Sequence, residues 1–212
     1  MLTIVILSLF LYSVSGYFTL PGKCPENVAL QKDFKLPDFY GKWHQAYHYS
    51  SDGLMMNNCS KLILDTKPSG AYWNQSRVDR GLFHRYSMAK LDIPIRIEDA
   101  ANLNVTFTFH DAPRRLRVRS YPFRVLATNY NYYATVYTCQ YSSLIDKHFI
   151  YVWILSRNLI LNDVSLELAV KPLSEIGVDS KKLVKEDISN CSPKYYDDVN
   201  TKPTTFRYPV PI

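Results

Sequence analysis

The chain has 212 residues, a formal net charge of +6 and an apolar content of 47%. This composition excludes a disordered chain, and the length fits one domain with a proper hydrophobic core. The basic residues are spread along the chain apart from Arg114, Arg115, Arg117 and Arg119, and we interpret that cluster as a solvated strand or loop.

The N-terminus has the pattern of a secretory signal peptide. Residues 1–16 contain no charged side chain, Leu2 to Tyr12 form an almost unbroken apolar run, and the small residues Ser13, Ser15 and Gly16 follow. The run is too short for a membrane span of ~20 residues, so we predict cleavage after Gly16 and no stable membrane anchor. A secreted, extracellular protein is also not expected to bind nucleic acid. We predict one domain over 17–192 and a C-terminal tail over 193–212.

The cysteines and the glycosylation sequons agree with a secreted protein. Four cysteines are an even number, which predicts two disulfides with three possible connectivities, and none has the CxxC spacing of a zinc or redox site. Sequons begin at Asn58, Asn74, Asn104 and Asn190. Asn58 and Asn190 each precede a cysteine, where disulfide formation competes with glycosylation, so we favour Asn74 and Asn104.

Strand signals dominate the rest of the chain. Runs rich in Tyr, Thr, Val, Ile, Phe and Trp are separated by clusters of Asp, Gly, Pro and Asn. The predicted strands are 42–51, 59–66, 71–79, 82–91, 103–110, 121–128, 132–141 and 148–156. Short connections between eight consecutive strands indicate an up-and-down antiparallel barrel or a sandwich, and closure into a barrel would remove exposed edges.

One helix is expected after the eighth strand. Asn162 and Asp163 can cap it, and apolar residues follow at near-helical spacing. Pro172 limits the regular part to two or three turns, and Gly177 is a plausible end. A short ninth strand is predicted at about 183–188.

Three motifs in this order resemble those of the lipocalin family. Gly41-Lys42-Trp43 opens the first strand, Thr128-Asn129-Tyr130 follows the sixth, and Arg157 follows the eighth. The resemblance covers residues 23–192 and implies the eight-stranded lipocalin barrel. Within the family the sequence is most similar to the insect bilin-binding proteins, including the insecticyanins, and to apolipoprotein D. The segments that support this closer match are Tyr40–Trp43, Val152–Arg157 and Lys182–Val184.

The resemblance assigns structural roles to several residues. It implies disulfides Cys24–Cys139 and Cys59–Cys191. It also implies that Trp43 plugs the closed end of the barrel with Arg157 stacked on its ring, a cation–π contact worth roughly 0.5–2 kcal/mol. Asn129 departs from the family pattern, which usually has aspartate there, and this puts the recognition or turn function of that loop in doubt. Asparagine nevertheless suits a tight turn.

Alternation along the strands predicts which side chains face the ligand cavity. If Trp43 faces inward, Gln45, Tyr47 and Tyr49 face inward too. His44 and His48 then face outward. They would lie ~13 Å apart, which is too far for the two side chains to bind one metal ion. A glycan on Asn104 must point outward, which places Val105, Phe107 and Phe109 inside unless a β-bulge intervenes. Further aromatic and methionine candidates have a facing that alternation does not fix: Tyr72, Trp73, Tyr86, Met88, Tyr137 and Tyr151.

The predicted function is a carrier of one small hydrophobic molecule, with a biliverdin-type pigment first and a fatty acid, retinoid, carotenoid or pheromone as alternatives. No cofactor is required. Arg77, Arg80 and Arg85 flank one turn and are candidates for the propionates of a bilin, provided that this turn lies at the open end. A second class is a protein that acts on a protein partner through loops such as 52–58 and 93–102, and a homo-oligomer is also open. No nucleophile motif indicates an enzyme.

Overall fold

A computed structural model describes residues 20–53, 55, 57–79, 83–96, 100–108 and 113–191. The predicted signal peptide and the predicted tail 193–212 lie outside the described residues. No helix among the described residues has the length and apolar character needed to cross a membrane.

Ten strands account for most of the described chain. Their bounds are β1 Leu20–Pro21, β2 Gly41–Ser50, β3 Asn57–Lys67, β4 Gly70–Asp79, β5 Phe83–Asp92, β6 Asn102–Thr108, β7 Val118–Thr128, β8 Tyr133–Ser142, β9 Lys147–Ser156 and β10 Val184–Lys185. The helices are α1 Leu36–Phe39 and α2 Asp163–Val170, with 3-10 helices at Arg114–Leu116, Lys171–Ile176 and Ser180–Lys182.

Strands β2 to β9 form the predicted eight-stranded antiparallel barrel. Each strand pairs with its successor in the chain, and β9 pairs with β2 to close the sheet. Two short strands lie outside this ring: β1 pairs with β9 at His148, and β10 pairs with β2 at His48. The first was not predicted, and the second is the predicted ninth strand.

The predicted helix is confirmed with its end signals. The Asn162 side chain accepts a hydrogen bond from the Ser165 N–H at 2.8 Å, and Gly177 ends the following 3-10 turn at a φ of 72°. The Thr135 hydroxyl on β8 donates to the Ala169 carbonyl at 2.6 Å. That bond fixes α2 against the outer face of the barrel wall.

Two apolar clusters separate the inside of the barrel from its outside. The inner cluster contains Phe39, Trp43, Leu64 and Val125, while the outer one combines Ala169 and the residues after it with side chains of β8 and β9. Side chains of one strand alternate between the two clusters, as a closed sheet with a covered face requires.

The closed end of the barrel is built around Trp43. Its ring is fully buried, its Nε1–H donates to the Phe39 carbonyl at 2.9 Å, and the Arg157 Cζ lies 3.7 Å from the ring centroid. The Arg157 guanidinium also donates to the carbonyls of Tyr130, Lys42 and Asp38. Gly41 has a φ of 100°, and a Cβ there would lie 3.2 Å from Arg157 Nη1, so this position requires glycine.

Asn129 caps the turn between β7 and β8. Its Oδ1 accepts hydrogen bonds from the N–H groups of Tyr132 and Tyr133 at 2.9 and 3.1 Å. The Thr128 hydroxyl donates to the Tyr133 carbonyl and accepts from the Tyr130 N–H. An amide oxygen therefore performs the turn function here without the charge of an aspartate.

The two disulfides connect the pairs that the family resemblance implies. Cys24 joins Cys139 on β8, and Cys59 on β3 joins Cys191, with sequence separations of 115 and 132. Loops of this size are worth ~4.7 kcal/mol each in the chain-entropy model, which is an upper figure. The second disulfide anchors the segment after β10 to the barrel wall.

Candidate functional site

A small cavity of about 10 Å³ lies inside the barrel, above the Trp43 layer. Six apolar side chains supply most of its wall: Leu62, Trp73, Phe123, Val136, Trp153 and Leu155. Three polar side chains complete it: Gln45, Ser60 and Gln75. An apolar cavity with a few polar groups is the usual form of a small-molecule site.

The predicted facing of β2 is correct for Gln45 and wrong beyond it. Gln45 is opposite Leu155 on β9, but Tyr47 is opposite Ile154, so Ala46 is an extra residue in a β-bulge. The bulge reverses the alternation, because one inserted residue shifts every later side chain to the other face. Tyr47 and Tyr49 therefore pack in the outer cluster and do not line the cavity.

The same bulge turns His48 toward the inside, contrary to the predicted outward facing. His48 is opposite Trp153, which lines the cavity, and directly opposite residues share a face of the sheet. Its Nδ1 lies 3.2 Å from the Gln45 Nε2. His44, before the bulge, keeps the predicted facing.

Two tyrosine candidates lie on the outer face. Tyr72 neighbours the inward Trp73, lies under the Lys67 ammonium at 5.4 Å, and donates to the Ser69 hydroxyl at 2.8 Å. Tyr137 is fully buried in the outer cluster. Neither belongs to the cavity wall, because the strand register gives each the opposite facing from its cavity-lining neighbour.

The facing predicted for β6 is confirmed where the structure describes it. Val105 is buried in the inner cluster, Phe107 packs against that cluster, and Asn104 is exposed. The Phe107 ring lies 5.9 Å from the Tyr121 ring, nearer the open end than the cavity. Phe109 lies outside the described residues.

Strand β4 ends and β5 begins at the open end of the barrel, opposite the end that Trp43 closes. Arg77 is on β4, two residues beyond the cavity-lining Gln75, and is therefore on the inner face. Arg85 is opposite Arg77 in the register, but its side chain lies outside the described residues, as does Arg80. The geometric condition for Arg77 as a partner of an anionic ligand group is met.

A buried carboxylate that the sequence did not predict lies beside the cavity. Glu186, directly after β10, accepts a hydrogen bond from the Ser60 N–H at 2.8 Å and one from the Gln45 Nε2 at 2.6 Å. The His48 Nδ1 lies 3.6 Å from the same carboxylate. Because β2 pairs with β3 only through residues 41–44, the Glu186 segment fills the upper gap between these strands. The sequence carries no distinct signal for this carboxylate, because Glu186 lies between Lys185 and Asp187 in the segment predicted as the ninth strand.

Burial shifts the pKa values of several groups in and around the barrel. Burial raises the pKa of Tyr151, and its hydrogen bond to the Asp52 carboxylate at 2.6 Å raises it further. Burial also raises the pKa of Tyr121. His44 is held neutral, since burial lowers its pKa to about 4, with help from Lys42 and Lys61. The tyrosines on the inner face thus present neutral hydroxyls to the cavity side.

The favoured glycosylation sites differ in exposure. Asn104 is exposed, which suits a glycan, whereas Asn74 is only 7% exposed. Glycosylation of both residues stays a prediction, and the exposure of Asn104 favours that sequon over Asn74. Asn190 is exposed and Asn58 is half-buried.

The family model that matches this chain is that of the lipocalin and cytosolic fatty-acid binding protein family, over residues 96–190. Insecticyanin-A of Manduca sexta is 28% identical over 184 residues, which cover 85% of this chain and 94% of that protein. Apolipoprotein D of Cavia porcellus is 28% identical over 172 residues, which cover 80% of this chain and 85% of that protein.

A solved structure shows the same barrel. The structure of insecticyanin from the tobacco hornworm Manduca sexta aligns with a TM-score of 0.69 and 27% sequence identity. The alignment covers 82% of this chain and 91% of the insecticyanin chain. The two chains therefore share one fold over most of their length.

Proposed function

We propose that the chain is a lipocalin that carries a small apolar ligand in the cavity of the barrel. The observation that supports this proposal most directly is the cavity wall, in which six apolar side chains enclose a space with three polar groups. Such a wall binds by removing apolar surface from water and orients the ligand through the few polar contacts. The proposal is a binding protein and not an enzyme.

The cavity has room for about one water molecule with the side chains as they stand, since its volume is about 10 Å³. A ligand therefore binds only if side chains of the wall move apart or if part of it lies in the open end of the barrel. We propose a compact apolar molecule as the first candidate, because it requires the smallest movement.

A bilin is the second candidate, supported by the resemblance to insecticyanins and by the upper part of the barrel. A four-ring pigment exceeds the cavity, so its rings would have to lie nearer the open end. Three aromatic residues on the inner face there are half-buried, so a ligand can reach them: Phe107, Tyr121 and Tyr151. Arg77 on the same inner face would meet the carboxylates of the pigment.

We also propose that the protein is secreted. Two disulfides suit an oxidising compartment, and both close loops of more than 100 residues in a chain with a predicted signal peptide. A carrier with these properties would take up its ligand outside the cell.

Absorption spectroscopy of the protein from its native source tests the proposal, together with mass spectrometry of its organic extract. A tetrapyrrole at about one per chain would establish the bilin, and a smaller apolar molecule would establish the first candidate. A displacement assay with a naphthalene-based fluorescent probe covers the case in which the ligand is lost on purification. An empty barrel that also fails to bind any probe would contradict the carrier proposal and favour action on a protein partner.

A further inference from the structure

We propose that the cavity selects a ligand with a hydrogen-bond acceptor, such as a carbonyl group, which the indole N–H of Trp73 binds. This inference rests on the proposed carrier function and adds the chemical class of the ligand. It starts from Trp73, which lines the cavity and is only 8% exposed. Its Nε1 is buried and has no hydrogen-bond partner among the residues that the structure describes.

An unsatisfied indole N–H at this position is costly. The indole nitrogen of tryptophan is a donor only, and a buried donor without an acceptor loses its hydration without compensation. Trp43, one layer below, shows the usual solution, because its Nε1–H donates to the Phe39 carbonyl at 2.9 Å. Trp73 instead packs its ring against Phe123 at 4.8 Å in a T-shaped contact, where the neighbouring ring offers no oxygen.

None of the polar side chains of the cavity, Gln45, Ser60 and Gln75, accepts a hydrogen bond from the Trp73 Nε1. The Gln45 Nε2 is bound to Glu186, whose carboxylate also receives the Ser60 N–H. This network holds Gln45 and Ser60 at their own side of the cavity. A ligand that supplies an oxygen to Trp73 therefore completes the hydrogen bonding of the wall without disturbing the network.

The ligand class follows from the donor and the apolar wall together. A donor-only group selects an acceptor such as a ketone, aldehyde, ester or carboxylate oxygen. A site built to hydrogen-bond a polar group discriminates against the analogue that lacks it, because the partner group is then left unpaired. The expected ligand is thus a compact apolar body with an acceptor oxygen.

Two probes of the same shape test this inference. In 2-acetylnaphthalene the side group presents a carbonyl oxygen, and in 2-isopropenylnaphthalene a CH₂ group replaces that oxygen. We expect Trp73→Phe to weaken binding of the acetyl probe about three- to tenfold, the effect of one hydrogen bond, and to leave the isopropenyl probe within twofold. Trp153→Phe, which changes another indole in the same wall, is the matched control and should affect both probes equally.

Nuclear magnetic resonance of the indole N–H groups gives a second readout on the unmodified chain, which has three tryptophans. The Trp73 signal should move downfield with the acetyl probe and not with the isopropenyl probe, while the Trp43 signal stays in place. Equal weakening of both probes by Trp73→Phe, or an unmoved Trp73 signal with the acetyl probe bound, would overturn the inference and leave the carrier proposal intact. Failure of both probes to bind the unmodified protein would contradict the carrier proposal and this inference together.

Discussion

Replacement of Glu186 by alanine should destabilise the barrel, although this residue lies outside the eight barrel strands. The carboxylate is 5% exposed and accepts from the Ser60 N–H and from the Gln45 Nε2. A buried donor that loses its acceptor costs about 1–3 kcal/mol, and hydrogen bonds to a charged group are worth about 1.5–3 kcal/mol. Because the two contacts share one carboxylate, we expect a combined loss of about 3 kcal/mol in the free energy of unfolding.

Glu186→Gln separates hydrogen bonding from charge. Its amide oxygen can still accept from Ser60, while its NH₂ group faces the Gln45 amide, which can rotate to present its oxygen. We expect a loss of about 1 kcal/mol for this variant. Asp187→Ala is the matched control, because Asp187 is exposed and bonds only to Ser189 in the contacts that the structure gives. This control should change stability by less than about 0.5 kcal/mol.

Urea unfolding at pH 7 with both disulfides intact measures these differences, and the same variants should be titrated with 2-acetylnaphthalene. The loss of Glu186 should also weaken probe binding, since Gln45 and Ser60 line the cavity. A Glu186→Ala protein as stable as the Asp187→Ala control would refute the reasoning. So would a glutamine variant as unstable as the alanine one, because the two hydrogen bonds would then not explain the effect.

Three further predictions concern the closed end and the outer wall. Arg157→Met should lower the free energy of unfolding, measured in urea, by about 2–3 kcal/mol, since it removes three hydrogen bonds to backbone carbonyls and the cation–π contact. Arg124→Met is the control and should lower it by less than about 0.5 kcal/mol. Asn129→Ala should cost about 1–2 kcal/mol in the same assay and Asn129→Asp less than about 0.5, because only the alanine removes the turn acceptor. His44 has its pKa lowered to about 4 by burial, so the unfolded chain binds more protons between pH 6.5 and 4 and stability falls as the pH drops through that window. That fall should be about 2 kcal/mol smaller in His44→Gln, allowing for solvent screening of the exposed Lys42, and identical pH profiles would contradict the assignment.

The barrel and its closed end were predictable because the signals for them are local or belong to a motif. Alternating strands, short turns and the Gly41, Trp43 and Arg157 motif each constrain a segment independently of the others. The facing of β6 also followed, since Asn104 had to be outside and no bulge intervened among the described residues. The facing of Tyr72 and Tyr137 was not predictable, because the sequence offers no residue on either strand whose facing is known independently.

The bulge at Ala46 explains why two of the three predicted ligand residues of β2 were misplaced. The sequence of β2 does not reveal the inserted residue, because Tyr47, His48 and Tyr49 suit either face of the strand equally well. In the folded chain the choice is decided by distant segments: the outer cluster beneath α2 accepts the tyrosines, and the Glu186 segment lies beside the Gln45 and His48 pair. These contacts join residues more than 100 positions apart.

The same bulge also determines the chemistry of the cavity. With regular alternation, Tyr47 and Tyr49 would have faced inward, occupying the upper barrel with aromatic rings and phenol groups. Reversal instead moves His48 inward beside Gln45, whose amide is then bound by a carboxylate outside the barrel strands. Gln45 and Ser60 are thereby engaged by Glu186, while the Trp73 N–H on β4 has no partner among the described residues. One inserted residue on β2 thus decides which groups of this strand face the cavity in which we propose that Trp73 binds the ligand.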